Sequence, residues 1–85
     1  MTYKVVLSRQ AQRYFASAPP DLAKRLARAF ETLESHRSPA GAKPLKGDLA
    51  GLFRIRIGSI RLIYEWYEEI GEVKIVKISP RGDAY

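Results

Sequence analysis

Leu52-Phe53-Arg54-Ile55-Arg56-Ile57-Gly58-Ser59-Ile60-Arg61-Leu62-Ile63-Tyr64-Glu65-Trp66 is the stretch that decides the fold. From Phe53 to Ile57 apolar and cationic residues alternate strictly. A period of two means an extended strand with one apolar face and one charged face. Gly58-Ser59 is a two-residue turn of the kind that closes a hairpin. Ile60 to Trp66, rich in β-branched and aromatic residues, is the returning strand. Alternation sets Arg61 opposite Ile60, Leu62 and Tyr64. Arg54, Arg56 and Arg61 therefore share one face if the apolar residues meet a helical layer.

Outward from this hairpin, Glu68 to Gly71 predicts a turn and Val73 to Ser79 a last strand, stopped by Pro80. On the N-terminal side, Ser38-Pro39-Ala40-Gly41 opens a loop, and an extra short strand fits around Lys43 to Lys46. Tyr3 to Leu7 reads as a first strand. Ser8 is placed to cap a helix whose stripe is Ala11, Tyr14, Phe15 and Ala18. Pro19-Pro20 ends that helix. Asp21 is expected to cap a second one, striped by Leu22, Leu26, Ala29, Phe30 and Leu33. The fold class is α+β: an N-terminal strand and a helical hairpin on a largely antiparallel sheet of three to four strands.

The chain has 85 residues, room for one domain spanning 1–85. It is 46% hydrophobic and 28% charged, which fits a globular protein rather than a disordered one. It has no cysteine, which excludes disulfides and thiolate metal sites and favours a cytoplasmic location. One histidine, His36, argues against a histidine metal site, and neither a membrane-spanning nor a signal segment is expected. No cofactor is implied.

Fifteen Lys and Arg against nine Asp and Glu give a net charge of +6. Arg37 to Arg61 holds six cations and one acid, Asp48, whereas Glu65, Glu68, Glu69 and Glu72 collect near a turn. Guanidiniums on one open surface suit phosphate, because each fork donates two hydrogen bonds and stays charged. An aromatic such as Tyr85 beside them suits an unstacked RNA base. The plain alternative is a solvated cationic face that does nothing. Ser79 lacks a His–Asp pair, His36 fits a helix C-terminus, and Asp48 fits a turn.

Lys43-Pro44-Leu45-Lys46-Gly47, Leu52 to Gly58, Ile60 to Glu65 and Arg81-Gly82-Asp83-Ala84-Tyr85 together resemble the RelE/ParE toxins of type II toxin–antitoxin systems. The resemblance covers nearly the whole chain. It implies one of two activities. RelE-like members are metal-independent endoribonucleases, mRNA interferases that cut mRNA, usually on the ribosome; ParE-like members are non-enzymatic inhibitors of DNA gyrase. A member that only pairs with its antitoxin is a third possibility.

On the RelE-like side, the resemblance implies a catalytic set of Arg54, Arg56, Arg61, Arg81 and Tyr85. Arg54 and Arg56 stand where relatives usually carry lysines, Arg61 where an arginine stabilises transition-state charge, and Arg81 where an arginine assists the leaving group. Tyr85 matches the tyrosine that orients the base. Lys43 and Lys46, with Arg54 and Arg56, would bind RNA. The implied partners are a cognate antitoxin, mRNA and the ribosome, with operator DNA contacted only through the antitoxin. One departure bears on mechanism: arginine, with a pKa above about 12, is a poor general base.

Overall fold

The computed structural model describes residues 2–36 and 42–80. Along the chain come β1 (Lys4–Leu7), α1 (Arg9–Ala16), α2 (Pro20–Ser35), β2 (Lys43–Pro44), β3 (Leu52–Ile57), β4 (Ile60–Tyr67) and β5 (Glu72–Ser79). Single 3-10 turns, Gly47–Leu49 and Glu68–Ile70, precede β3 and β5. The strands form one sheet in the order β1-β5-β4-β3-β2. β1 runs parallel to β5, and every other pair is antiparallel. The expected α+β architecture is present, with β2 as the extra short strand, but the sheet has five strands rather than three to four, because β1 joins its edge in parallel with β5.

The inner face of the sheet carries Ile55, Ile60, Leu62, Tyr64, Val73, Ile75 and Ile78, clustered with Ala11 of α1 and Leu26 and Leu33 of α2. Burying each large side chain contributes about 1.5–3 kcal/mol against the entropy of ordering the chain. Phe15 and Phe30 meet edge to face at 5.4 Å and join the two helices. Tyr3 meets Trp66 in the same geometry at 4.3 Å, so Trp66 belongs to the packed side.

Ser8 caps α1 as expected: its Oγ accepts the Ala11 N–H at 3.1 Å. The same hydroxyl donates to the Val76 carbonyl at 2.8 Å, which ties the start of α1 to β5. The expected cap of α2 at Asp21 is corrected. Pro19 is the N-cap, Pro20 is the first helical residue, and Asp21 lies in the first turn. Proline suits that first position because its missing N–H would be unpaired there anyway. Asp21 then favours the positive end of the helix dipole. α1 also stops at Ala16, short of the proline pair, with Ser17 as its C-cap. His36 is the C-cap residue of α2, its N–H donating to the Thr32 carbonyl at 2.9 Å. The loop expected at 38–41 lies outside the described residues.

The β3–β4 connection closes with Ile57 opposite Ile60, leaving Gly58 and Ser59 as the turn. Gly58 has φ +63° and no non-glycine residue has positive φ among the described residues, the sign pattern of a type II′ turn.

Candidate nucleic-acid interface

Residues opposite one another in a ladder project to the same side of a sheet. The register therefore fixes which residues share the outer face. Lys43 of β2 lies opposite Arg54, Arg54 opposite Ile63, and Ile63 opposite Lys77. These four form one row across four strands. The next row is Arg56 opposite Arg61, and Arg61 opposite Ser79. With strands about 4.8 Å apart, the two rows put five cations within reach of a single phosphodiester and its neighbours.

Arg56 is exposed, whereas Arg54 and Arg61 are half-buried. The Nε atoms of Arg54 and Arg61 are both buried and have no hydrogen-bond partner among the described residues. Ile63 adjoins both on this outer face, opposite Arg54 and two residues along β4 from Arg61. It is 2% exposed yet stands apart from the cluster formed with the helices. Long cationic side chains lay their alkyl stems over such an apolar floor and hold their charged ends above it. An unpaired buried donor costs about 1–3 kcal/mol, a cost that an incoming phosphate oxygen removes.

Arg56 faces Arg61 rather than an acid, which costs about 0.2–1 kcal/mol. Among the described residues, the acid nearest to this pair on the face is Glu65, opposite Leu52 and Lys74. It accepts a hydrogen bond from the Tyr67 hydroxyl, and this contact is the main reason the Tyr67 pKa is raised.

The sequence-predicted residues thus divide in three. Arg54, Arg56, Arg61 and Lys43 are brought together. Lys46 is exposed at the start of the Gly47–Leu49 turn, beyond the β2–β3 pairing. Arg81 and Tyr85 lie outside the described residues, but β5 carries the chain to Ser79, the residue opposite Arg61. Asp48 sits in the turn, as expected. Among the described residues no group of three His, Cys, Asp or Glu side chains is arranged to hold a metal ion, and no helix is long and apolar enough to cross a membrane.

One residue of this face was not identified from the sequence. Lys77 reaches it because of a β-bulge. Tyr64 pairs with Ile75 and Ile63 with Lys77, so Val76 is an extra residue in β5. Before the bulge the outward residue is Lys74; after it, Lys77 and Ser79. Without the bulge, strict alternation would send Lys77 to the same side as Ile75. The signal was in the spacing: inward Val73 and Ile75 are two apart, but the next, Ile78, is three further on. Bulges recur where a side chain must be re-aimed beside a functional site.

Away from this face, a cleft of about 410 Å³ lies between α2 and the β3–β4 turn, lined by Arg25, Arg28, Ala29, Thr32, Ile57 and Gly58.

A family model described as the ParE toxin of the type II toxin–antitoxin system parDE matches residues 5–85. The chain is 36% identical over 86 residues to Toxin RelG of Mycobacterium tuberculosis, covering 100% of this chain and 98% of that protein. It is similar in structure to a chain of the RelE–RelB complex from the archaeon Pyrococcus horikoshii, with TM-score 0.83, 31% identity, and coverage of 99% and 100% of the two chains. It is also similar to a chain of the toxin–antitoxin complex RelBE2 from M. tuberculosis, with TM-score 0.80, 32% identity, and coverage of 98% and 95%.

Proposed function

The chain belongs to the RelE/ParE superfamily of type II toxin–antitoxin toxins, and from that premise we propose that it is a RelE-like mRNA interferase acting on ribosome-bound mRNA. The observation that carries this reading is the pair of buried, unpartnered Nε donors on Arg54 and Arg61, set among facing cations with no acid opposite.

A site built this way favours a reaction in which negative charge accumulates on phosphate oxygens. The ribose 2′-OH attacks the adjacent phosphorus, the P–O5′ bond breaks, and the products are a 2′,3′-cyclic phosphate and a 5′-hydroxyl. Arg61 and Arg54 hold the non-bridging oxygens, where the negative charge of the pentacoordinate state grows. Arg56 adds charge from the same row as Arg61. Lys43 and Lys46 hold the flanking backbone. Arg81 assists the departing O5′, and Tyr85 stacks on the base. No metal ion or cofactor is part of this scheme.

A cognate antitoxin is the natural protein partner, since the structural relatives from M. tuberculosis and P. horikoshii are toxin–antitoxin complexes. Operator DNA would be contacted through that antitoxin. Action on translating ribosomes places the protein in the cytoplasm.

Primer extension on cellular mRNA after induction tests the reading. Wild type is expected to produce discrete breaks. Arg61→Ala is expected to cleave about 10²–10³ times more slowly, the usual loss for one transition-state donor. Intact transcripts under wild-type induction would rule the nuclease out.

The matching family model, described as a ParE toxin, favours a second reading: a non-enzymatic inhibitor of DNA gyrase. A supercoiling assay separates the two. Inhibition of gyrase without RNA cleavage would select this alternative.

A further inference from the structure

Cleavage through a 2′-hydroxyl needs a group that accepts its proton, and the arginines of this site cannot serve, because a guanidinium stays protonated. We propose that Lys77, carried onto the outer face by the β5 bulge, is that proton acceptor. The inference rests on the nuclease reading above and adds a catalytic residue to it.

Three observations support the assignment. The first is position. Lys77 is in the row of Lys43, Arg54 and Ile63, and one step diagonally from Arg61, whose partner on β5 is Ser79. Its side chain and that of Arg54 flank Ile63 from opposite sides. A phosphate held by Arg54 and Arg61 therefore sits over Ile63, with the Lys77 amine reaching it from β5. The second is chemical type. Lysine carries a compact amine that can give up and take a proton, unlike the three arginines beside it. The remaining amines on this face are placed less well: Lys43 is on the two-residue edge strand, and Lys74 lies a full step away opposite Glu65. The third is the bulge itself. Val76 is only half-buried, and its carbonyl accepts the Ser8 hydroxyl at the start of α1. Its place outside the ladder sets the face to which Lys77 belongs.

The step balances simply. The Lys77 amine takes the 2′-OH proton while the 2′-oxygen forms its bond to phosphorus. The P–O5′ bond breaks, and O5′ leaves with a proton taken from water. The hydroxide so formed is neutralised by the lysine ammonium, which returns to the amine.

Single-turnover cleavage of ribosome-bound mRNA by the full chain tests this. Lys77→Arg keeps the charge and removes the base. It is expected to bind RNA as wild type does but to cleave about 10²–10⁴ times more slowly. The pH–rate profiles of wild type and variant should differ, because only wild type carries the base. Lys74→Arg, the neighbouring control, should cleave normally. Because the chain contains no cysteine, Lys77→Cys offers one thiol for aminoethylation. That treatment restores an amine at nearly the same position and should restore cleavage. Cleavage by Lys77→Arg at the wild-type rate, or no recovery on aminoethylation, overturns the assignment while leaving the nuclease reading intact. Failure of the wild type itself to cleave overturns both.

Discussion

Arg56 and Arg61 face each other directly across the β3–β4 ladder, one on each arm of the hairpin closed by Gly58-Ser59. Two like charges at paired positions repel, and no acid on the same face lies opposite either one. Arg56→Gln should therefore raise stability by up to about 1 kcal/mol, a rise of roughly 4–8 °C in Tm for a domain of this size. Added salt should stabilise wild type more than the variant, because it screens the repulsion. Thermal denaturation at low and high ionic strength checks both points. A variant that is more stable but less toxic would identify the repulsion as a cost of function.

Gln10 holds the end of β5. Its Nε2 donates to the Ile78 carbonyl at 2.7 Å, and its Oε1 accepts the Ile78 N–H at 2.9 Å. β1 pairs with β5 only as far as Ile75, so this amide continues the edge that the strand leaves open. Gln10→Ala strands both backbone groups and should cost about 1–3 kcal/mol in a denaturant titration. Amide exchange at Ile78 should accelerate by more than at Ile75. Equal acceleration at both would mean global destabilisation instead.

Gly58 has φ +63°, and a Cβ there would lie 2.9 Å from an Arg25 terminal nitrogen. The end of an arginine can swing away, whereas the backbone angle cannot relax without opening the turn. Gly58→Ala should therefore cost about 1–2 kcal/mol. The double variant with Arg25→Ala should be no better. Recovery in the double variant would show that the side-chain contact, not φ, sets the cost.

Two tyrosines should titrate late. Burial pushes the Tyr64 pKa up to about 12, opposed in part by its hydrogen bond with Trp66. The folded state thus holds the Tyr64 proton above pH 10, where the unfolded chain releases it. This contribution is complete below about pH 10 and fades as pH rises towards 12, on the order of 2 kcal/mol in all. Tyr67 shifts in the same direction, chiefly through its hydrogen bond to Glu65. Glu65→Gln should bring the Tyr67 midpoint down and leave Tyr64 unmoved. Tyrosinate absorbance against pH reads both.

The strand pair and its turn were legible because local periodicity carries that information. Phe53 to Ile57 alternate without exception, and β3 and the Gly58-Ser59 turn fall where that alternation and the glycine place them. The helical stripes were legible for the same reason, Leu26 and Leu33 being fully buried. The start of α2 was misplaced by two residues. Asp and Pro are both signals for a helix beginning, and the proline at the first position took precedence.

What the amino-acid sequence determined by itself was the content of each strand and which of its residues are apolar. It therefore determined that Arg54, Arg56 and Arg61 belong to one cationic face. The tertiary structure alone decided which residues of different strands stand side by side. Pairing β1 in parallel with β5 places the first strand at the sheet edge, 68 residues from its partners, and no local period encodes that. The slip at Val76 is the same kind of decision. The apolar spacing of β5 signals a slip between Ile75 and Ile78, and the hydrogen-bonded partner shows which residue is skipped. That skipped residue turns Lys77 towards Arg54 and Arg61.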